Sequence, residues 1–114
     1  MTVKVCGIKT WDSVRKALRF FKDNNIEADF LDLKKETPAS TSIKSWIEKA
    51  GIDVVFNSRG TKYRNLKLKE LNLDDKGKFE WLCKEPMLLK RPIVDYENKV
   101  LVGFKEEIYK ETFL

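Results

Sequence analysis

The chain has 114 residues, 42% of them hydrophobic, which suits one domain over residues 1–114 and leaves no room for a second. Its 23 basic and 18 acidic side chains give a net charge of +5, enough to admit an anionic partner but no signature of direct nucleic-acid binding. Histidine is absent, so Ser-His and Cys-His pairs, histidine proton shuttles and histidine metal ligands are excluded.

The two cysteines, Cys6 and Cys83, lack both Cys-x-x-Cys spacing and the ligand count of a zinc site, so neither a metal nor a bound cofactor is expected. The N-terminus enters a strand directly, and no apolar run approaches membrane-spanning length. A cytoplasmic protein without a membrane partner is the expectation.

Val3 and Val5 alternate with polar neighbours as in a strand, and Gly7 relieves the backbone where the strand breaks. Asp12 or Ser13 can accept the free N–H groups that open a helix, in which Val14, Ala17, Leu18 and Phe21 recur at helical spacing. A strand-loop-helix of this kind aims several unpaired amides at one point, which suits an anion or a thiolate. Asp23-Asn24-Asn25 stops the helix, and Ile26 to Leu33 alternates like a half-buried strand, completing a parallel βαβ unit.

After a polar connection containing Pro38, Ile43, Trp46, Ile47 and Ala50 trace one face of a second helix that closes at Gly51. Ile52 to Phe56 is an apolar run too short to classify, and Asn57-Ser58-Arg59-Gly60 reads as a turn. Tyr63 to Leu73 suggests short helices with Leu66, Leu68, Leu71 and Leu73 as core. Asp74-Asp75-Lys76-Gly77 reads as a break before a helix from Phe79 to Glu85, which Pro86 ends. Residues 34–87 thus form a helical block.

Arg91 to Asp95 and Val100 to Val102 form a hairpin, with Asn98 favouring its turn, and Phe104 to Phe113 returns as a final helix. This order is an α/β, thioredoxin-like fold: a mixed sheet flanked by helices, with a helical insertion between the first βαβ and the final ββα.

The segment Cys6-Gly7-Ile8-Lys9-Thr10-Trp11-Asp12 resembles the opening of the arsenate reductase (ArsC) family, which includes the Spx regulators and YffB-like proteins and often reads Tyr-Gly-Ile-Lys-Asn-Cys-Asp there. Phe56 to Arg64, Lys90 to Val94 and Val102 to Glu107 resemble later family motifs in the same order. The alignment puts Trp11 where the family has its reactive cysteine.

The resemblance implies an oxyanion site. Two of the family's three oxyanion-holding arginines fall on Arg59 and Arg91, the third near Phe104, as in the Spx-like branch. It also implies a cis Pro92 that approaches the reactive position and pairs with an extended substrate. Lys9, Thr10, Trp11, Arg59, Arg91 and Pro92 are therefore the candidate anion- or ligand-binding residues. Trp11 either fills the space a substrate disulfide would occupy or stacks on a ligand or an arginine. Gly7-Ile8-Lys9-Thr10 lacks the Gly-x-x-x-x-Gly-Lys spacing of a phosphate loop.

Cys6 is a candidate displaced nucleophile only if its sulfur emerges beside Lys9 and Arg91; otherwise it is a buried strand residue, as Cys83 is a packing residue on its helix. Two functions follow. In the first, the protein binds a small anion, a thiol such as glutathione, or a protein partner, RNA polymerase by analogy with Spx, without conventional thiol-reductase turnover. In the second, it is a glutathione-dependent arsenate or thiol-disulfide reductase using Cys6 or a divergent mechanism, with glutathione as co-substrate. Tryptophan cannot form the covalent thiol intermediate, which counts against the second.

Overall fold

The computed structural model describes residues 2–114. The chain divides into two compact units, one comprising the chain up to Asp32 with Arg91–Leu114, the other Leu33–Lys90.

The first unit is built on a four-stranded sheet of order β2-β1-β3-β4, from β1 (Thr2–Gly7), β2 (Glu27–Asp32), β3 (Ile93–Tyr96) and β4 (Lys99–Val102). β1 pairs parallel with β2 and antiparallel with β3, and β3 pairs antiparallel with β4. The sheet is mixed, as the sequence order implies. The parallel pair requires a crossover, supplied by α1 (Asp12–Asp23). The antiparallel pair closes through Glu97 and Asn98, both at positive φ, the geometry of a two-residue type I′ turn.

Val3 and Val5 on β1 are fully buried against Ala17, Phe20 and Phe21 of α1 and Tyr109 of α6 (Glu106–Phe113). Phe20, outside the face traced from the sequence, joins that stripe because an apolar helix face spans about 100° rather than a single row. Edge-to-face contacts tie the aromatics together: Phe20 to Tyr109 at 5.5 Å, Phe21 to Phe113 at 5.0 Å and Phe104 to Tyr109 at 4.7 Å between ring centroids. The Tyr109 hydroxyl donates to the Gly103 carbonyl at 2.7 Å, satisfying a polar atom carried into the core.

Two local expectations are corrected. Gly7 does not adopt positive φ; a Cβ there would lie 2.6 Å from a Val14 methyl, so glycine is needed for the close approach of α1 to β1. Neither Asp12 nor Ser13 caps α1. The N-cap is Trp11, without a side-chain hydrogen bond, while Asp12 pairs with Arg15 and Ser13 donates elsewhere.

The second unit contains α2 (Ser40–Ala50), α3 (Ile52–Val55), α4 (Thr61–Asn65) and α5 (Asp75–Lys84), with turns of 3-10 helix at Leu68–Leu71 and Pro86–Leu88. The unclassified run at Ile52 is the short α3. Asp74 is not part of a break: its carboxylate accepts from the Gly77 amide at 2.7 Å and starts α5 earlier than composition suggests. Of the four leucines assigned to the core, Leu68 is buried, Leu66 and Leu73 are half-buried, and Leu71 is 54% exposed. Left-handed residues at Lys67 and Asn72 bracket that turn and break the period on which the assignment rested. Among the described residues no helix is long and apolar enough to cross a membrane.

Candidate functional site

Five of the six candidate residues, Lys9, Thr10, Trp11, Arg91 and Pro92, belong to the first unit, where β1 ends, α1 begins and the chain enters β3. The turn out of β1 is closed by the Trp11 amide donating to the Ile8 carbonyl at 3.2 Å, and the Trp11 carbonyl accepts the first helical bond, from the Arg15 amide at 3.0 Å. Trp11 has extended backbone geometry, so its indole projects from the helix start and is 40% exposed. No side chain caps the helix, which leaves first-turn amides facing outward with the positive end of the helix dipole.

Arg91 comes to this point across 80 residues of chain, carried by the start of β3. Its guanidinium carbon lies 3.7 Å from the centroid of the Trp11 ring, a stacked cation–π contact. Ser13, in the first turn of α1, donates its hydroxyl to the Arg91 carbonyl at 3.1 Å, tying the helix start to the strand start. The Arg91–Pro92 peptide is cis, Pro92 is buried, and its carbonyl accepts from the Gly103 amide at 2.8 Å. Nothing local in the sequence marks the Ser13 contact, because its partner is a backbone atom 78 residues away.

Cys6 sits behind this arrangement, 3% exposed in the β1 row paired with Ile93 and Leu31. Burial pushes its thiol up to about 12, against a smaller opposing pull from the Arg91 charge. At neutral pH the thiol therefore stays protonated, and thiolate is the nucleophile. Burial also draws the Arg91 guanidinium below its ordinary range, with the neighbouring Cys6 acting the other way. The sulfur is thus near Arg91 but buried, and Lys9 is engaged elsewhere, with its ammonium 5.7 Å from the Phe30 ring centroid.

Thr10 is exposed on the same turn. Arg59 belongs to the second unit, on the turn after Phe56, exposed, with its amide donating to the Asn57 side-chain oxygen at 3.1 Å. Phe104 is packed edge-on against Tyr109 in the aromatic core. Cys83 is half-buried on α5 and forms no disulfide. Among the described residues no group of three or more Cys, Asp or Glu side chains could hold a metal ion.

Comparison with known proteins adds four relationships. The profile of the ArsC family matches residues 7–112. The chain is 39% identical over 119 residues to an uncharacterized protein of Haemophilus influenzae, covering 97% of this chain and 98% of that one. It is 30% identical over 94 residues to the regulatory protein MgsR of Bacillus subtilis, covering 81% of this chain and 75% of MgsR. Among solved structures, the YFFB protein superposes with a TM-score of 0.91 at 27% identity, covering 98% of this chain and 99% of that one.

Proposed function

Because the chain belongs to the ArsC family, we propose that it is a thioredoxin-like member that binds an anionic or thiol ligand beside the Gly7–Trp11 loop and does not carry out conventional thiol-reductase turnover. The observation that carries this reading is the stack of Trp11 on Arg91 at the start of α1. A reductase of this architecture needs an ionisable thiol at that helix start, where the dipole and a nearby cation stabilise thiolate. Here the position presents an aromatic plane backed by a guanidinium. Such a surface can hold an oxyanion or carboxylate through charge-assisted hydrogen bonds, and can pack the apolar part of a thiol ligand on the ring. The buried Cys6, with its thiol pushed up to about 12, supports assigning no nucleophile in its place.

Candidate ligands are sulfate-like oxyanions and glutathione. A protein partner is the further occupant that the relationship to the regulatory protein MgsR favours.

Isothermal titration of sulfate, arsenate and glutathione into wild type and Arg91→Ala tests the reading. Binding is expected to weaken with added salt and with loss of the guanidinium. Equal affinities in the two proteins remove Arg91 from the site. Arsenate reduction with glutathione and glutaredoxin is expected to be absent. Turnover that is abolished by Cys6→Ser would instead establish the reductase reading with Cys6 as nucleophile.

A further inference from the structure

The net charge of the chain has an address. Between Asp53 and Glu70 there is no acidic residue, and the same stretch carries Arg59, Lys62, Arg64, Lys67 and Lys69. Removing these five from the 23 basic side chains leaves eighteen, equal to the 18 acidic ones, so the whole +5 resides in this one stretch of the second unit.

The stretch is folded into consecutive tight turns rather than extended. α4 leads directly into the left-handed Lys67, whose amide bonds to the Arg64 carbonyl at 3.1 Å, and then into the 3-10 turn Leu68–Leu71. With α4 and the 3-10 turn rising about 1.5–2 Å per residue and the linking residues advancing no more than about 3.6 Å each, the path from Arg59 to Lys69 spans at most roughly 26 Å. Successive cations then lie within about one Debye length (~8 Å) along the path, so their fields add. Only Lys62 has a carboxylate partner, Glu85 at 3.8 Å; Arg59, Arg64, Lys67 and Lys69 form no ion pair among the described residues. Leu71, two residues after Lys69 at the end of the 3-10 turn, is 54% exposed.

We propose that this segment is a docking surface for an acidic protein segment that carries a leucine-sized apolar side chain. Charge complementarity selects the acidic partner, and the exposed Leu71 supplies its apolar contact. Nucleic acid is the weaker match on two grounds. α4 is five residues long, too short to serve as a reading helix in a groove. Tyr63, the aromatic within the run, is half-buried and turned edge-on to Phe56 at 5.9 Å, so it is not presented for base stacking. The proposal does not use Trp11 or Arg91, since the residues it rests on all belong to Leu33–Lys90.

The test is fluorescence anisotropy of a labelled peptide of Glu-Glu-Leu repeats titrated with the whole protein across a salt series. Comparison probes are a Gln-Gln-Leu peptide and a mixed-sequence DNA duplex. Neutralising the patch as Arg64→Gln, Lys67→Asn and Lys69→Gln, with asparagine chosen because it tolerates the left-handed backbone at Lys67, is expected to weaken Glu-Glu-Leu binding by about threefold or more. The equal charge change Lys16→Gln, Arg19→Gln and Lys22→Gln on α1 is expected to cost clearly less. Leu71→Ser is expected to lower affinity while leaving the salt slope unchanged. Circular dichroism establishes that each variant is folded. Equal losses from the two triple variants, binding of the Gln-Gln-Leu peptide as tight as that of the acidic one, tighter binding of the duplex, or a Leu71→Ser protein that binds like wild type each overturns the proposal.

Discussion

The guanidinium carbon of Arg91 lies 3.7 Å from the centre of the Trp11 ring, joining the entry of β3 to the start of α1. A cation–π pair that is partly withdrawn from water is worth about 0.5–2 kcal/mol. Trp11→Ala and Arg91→Ala are therefore expected to be non-additive in urea denaturation, with a coupling energy in that range when measured by a double-mutant cycle. Strictly additive losses would mean that the stack makes no energetic contribution.

Cys6 gives the stability a pH dependence whose sign follows from its burial. Its thiol ordinarily titrates near 9.0 and is pushed up to about 12 in the folded chain, so on raising pH the unfolded chain loses this proton first. The unfolded state then binds fewer protons than the native one, and stability falls as pH rises. The contribution is complete below about 9 and is lost as pH climbs towards about 12. Wild type is expected to lose stability relative to Cys6→Ala across that window. Tyr109, whose hydroxyl is also raised by burial, acts in both proteins and cancels in the comparison. A stability difference that stays flat between pH 9 and pH 11 would show that Cys6 titrates normally.

Gly7 tests the closeness of α1 to β1. Its virtual Cβ meets a Val14 methyl at 2.6 Å, and Val14 is fully buried, so Gly7→Ala must displace the helix start or rotate a packed side chain. Overpacking of this kind costs about 1–3 kcal/mol. Chemical denaturation should show that loss in Gly7→Ala and a smaller increment when the change is made in a Val14→Ala background. A neutral Gly7→Ala would mean that the junction is looser than the geometry indicates.

The parts of the fold legible in the sequence were those with one dominant period. Val3 and Val5 alternate and Val14, Ala17 and Phe21 repeat at helical spacing, so the βαβ unit, the hairpin and the order of the elements could be written from residue pattern. Leu71 misled because the segment Leu66–Leu73 passes through α-helical, left-handed and 3-10 backbone, where no single period says which leucine points inward. Asp74-Asp75-Lys76-Gly77 has the composition of a turn, yet the Asp74 carboxylate converts it into a helix start. At the site, resemblance supplied the positions of Trp11, Arg91 and Pro92. The Ser13 hydroxyl on the Arg91 carbonyl and the depth of Cys6 depend on tertiary packing, to which local pattern is blind.

Replacing the ring tests whether the turn still holds the field that a thiol chemistry would need. In Trp11→Cys the sulfur would stand at the N-cap of a twelve-residue helix with no side-chain cap, beside the Arg91 guanidinium that the indole contacts in the wild type. Both features favour the thiolate, so the introduced thiol is expected to ionise below the free value of about 8.5. Asp12, in the first turn, opposes part of that shift, although its pairing with Arg15 reduces the opposition. Reactivity does not by itself restore turnover, since a substrate must also reach the sulfur. Alkylation by iodoacetamide against pH is best measured in a Cys83→Ser background, because Cys83 is half-buried and would contribute a second signal. Wild type in that background should react slowly up to high pH, as Cys6 is 3% exposed, and Trp11→Cys should show a fast phase with a midpoint below about 8.5. A Trp11→Cys thiol that titrates at or above the free value would show that the start of α1 and Arg91 supply no stabilising field at this position.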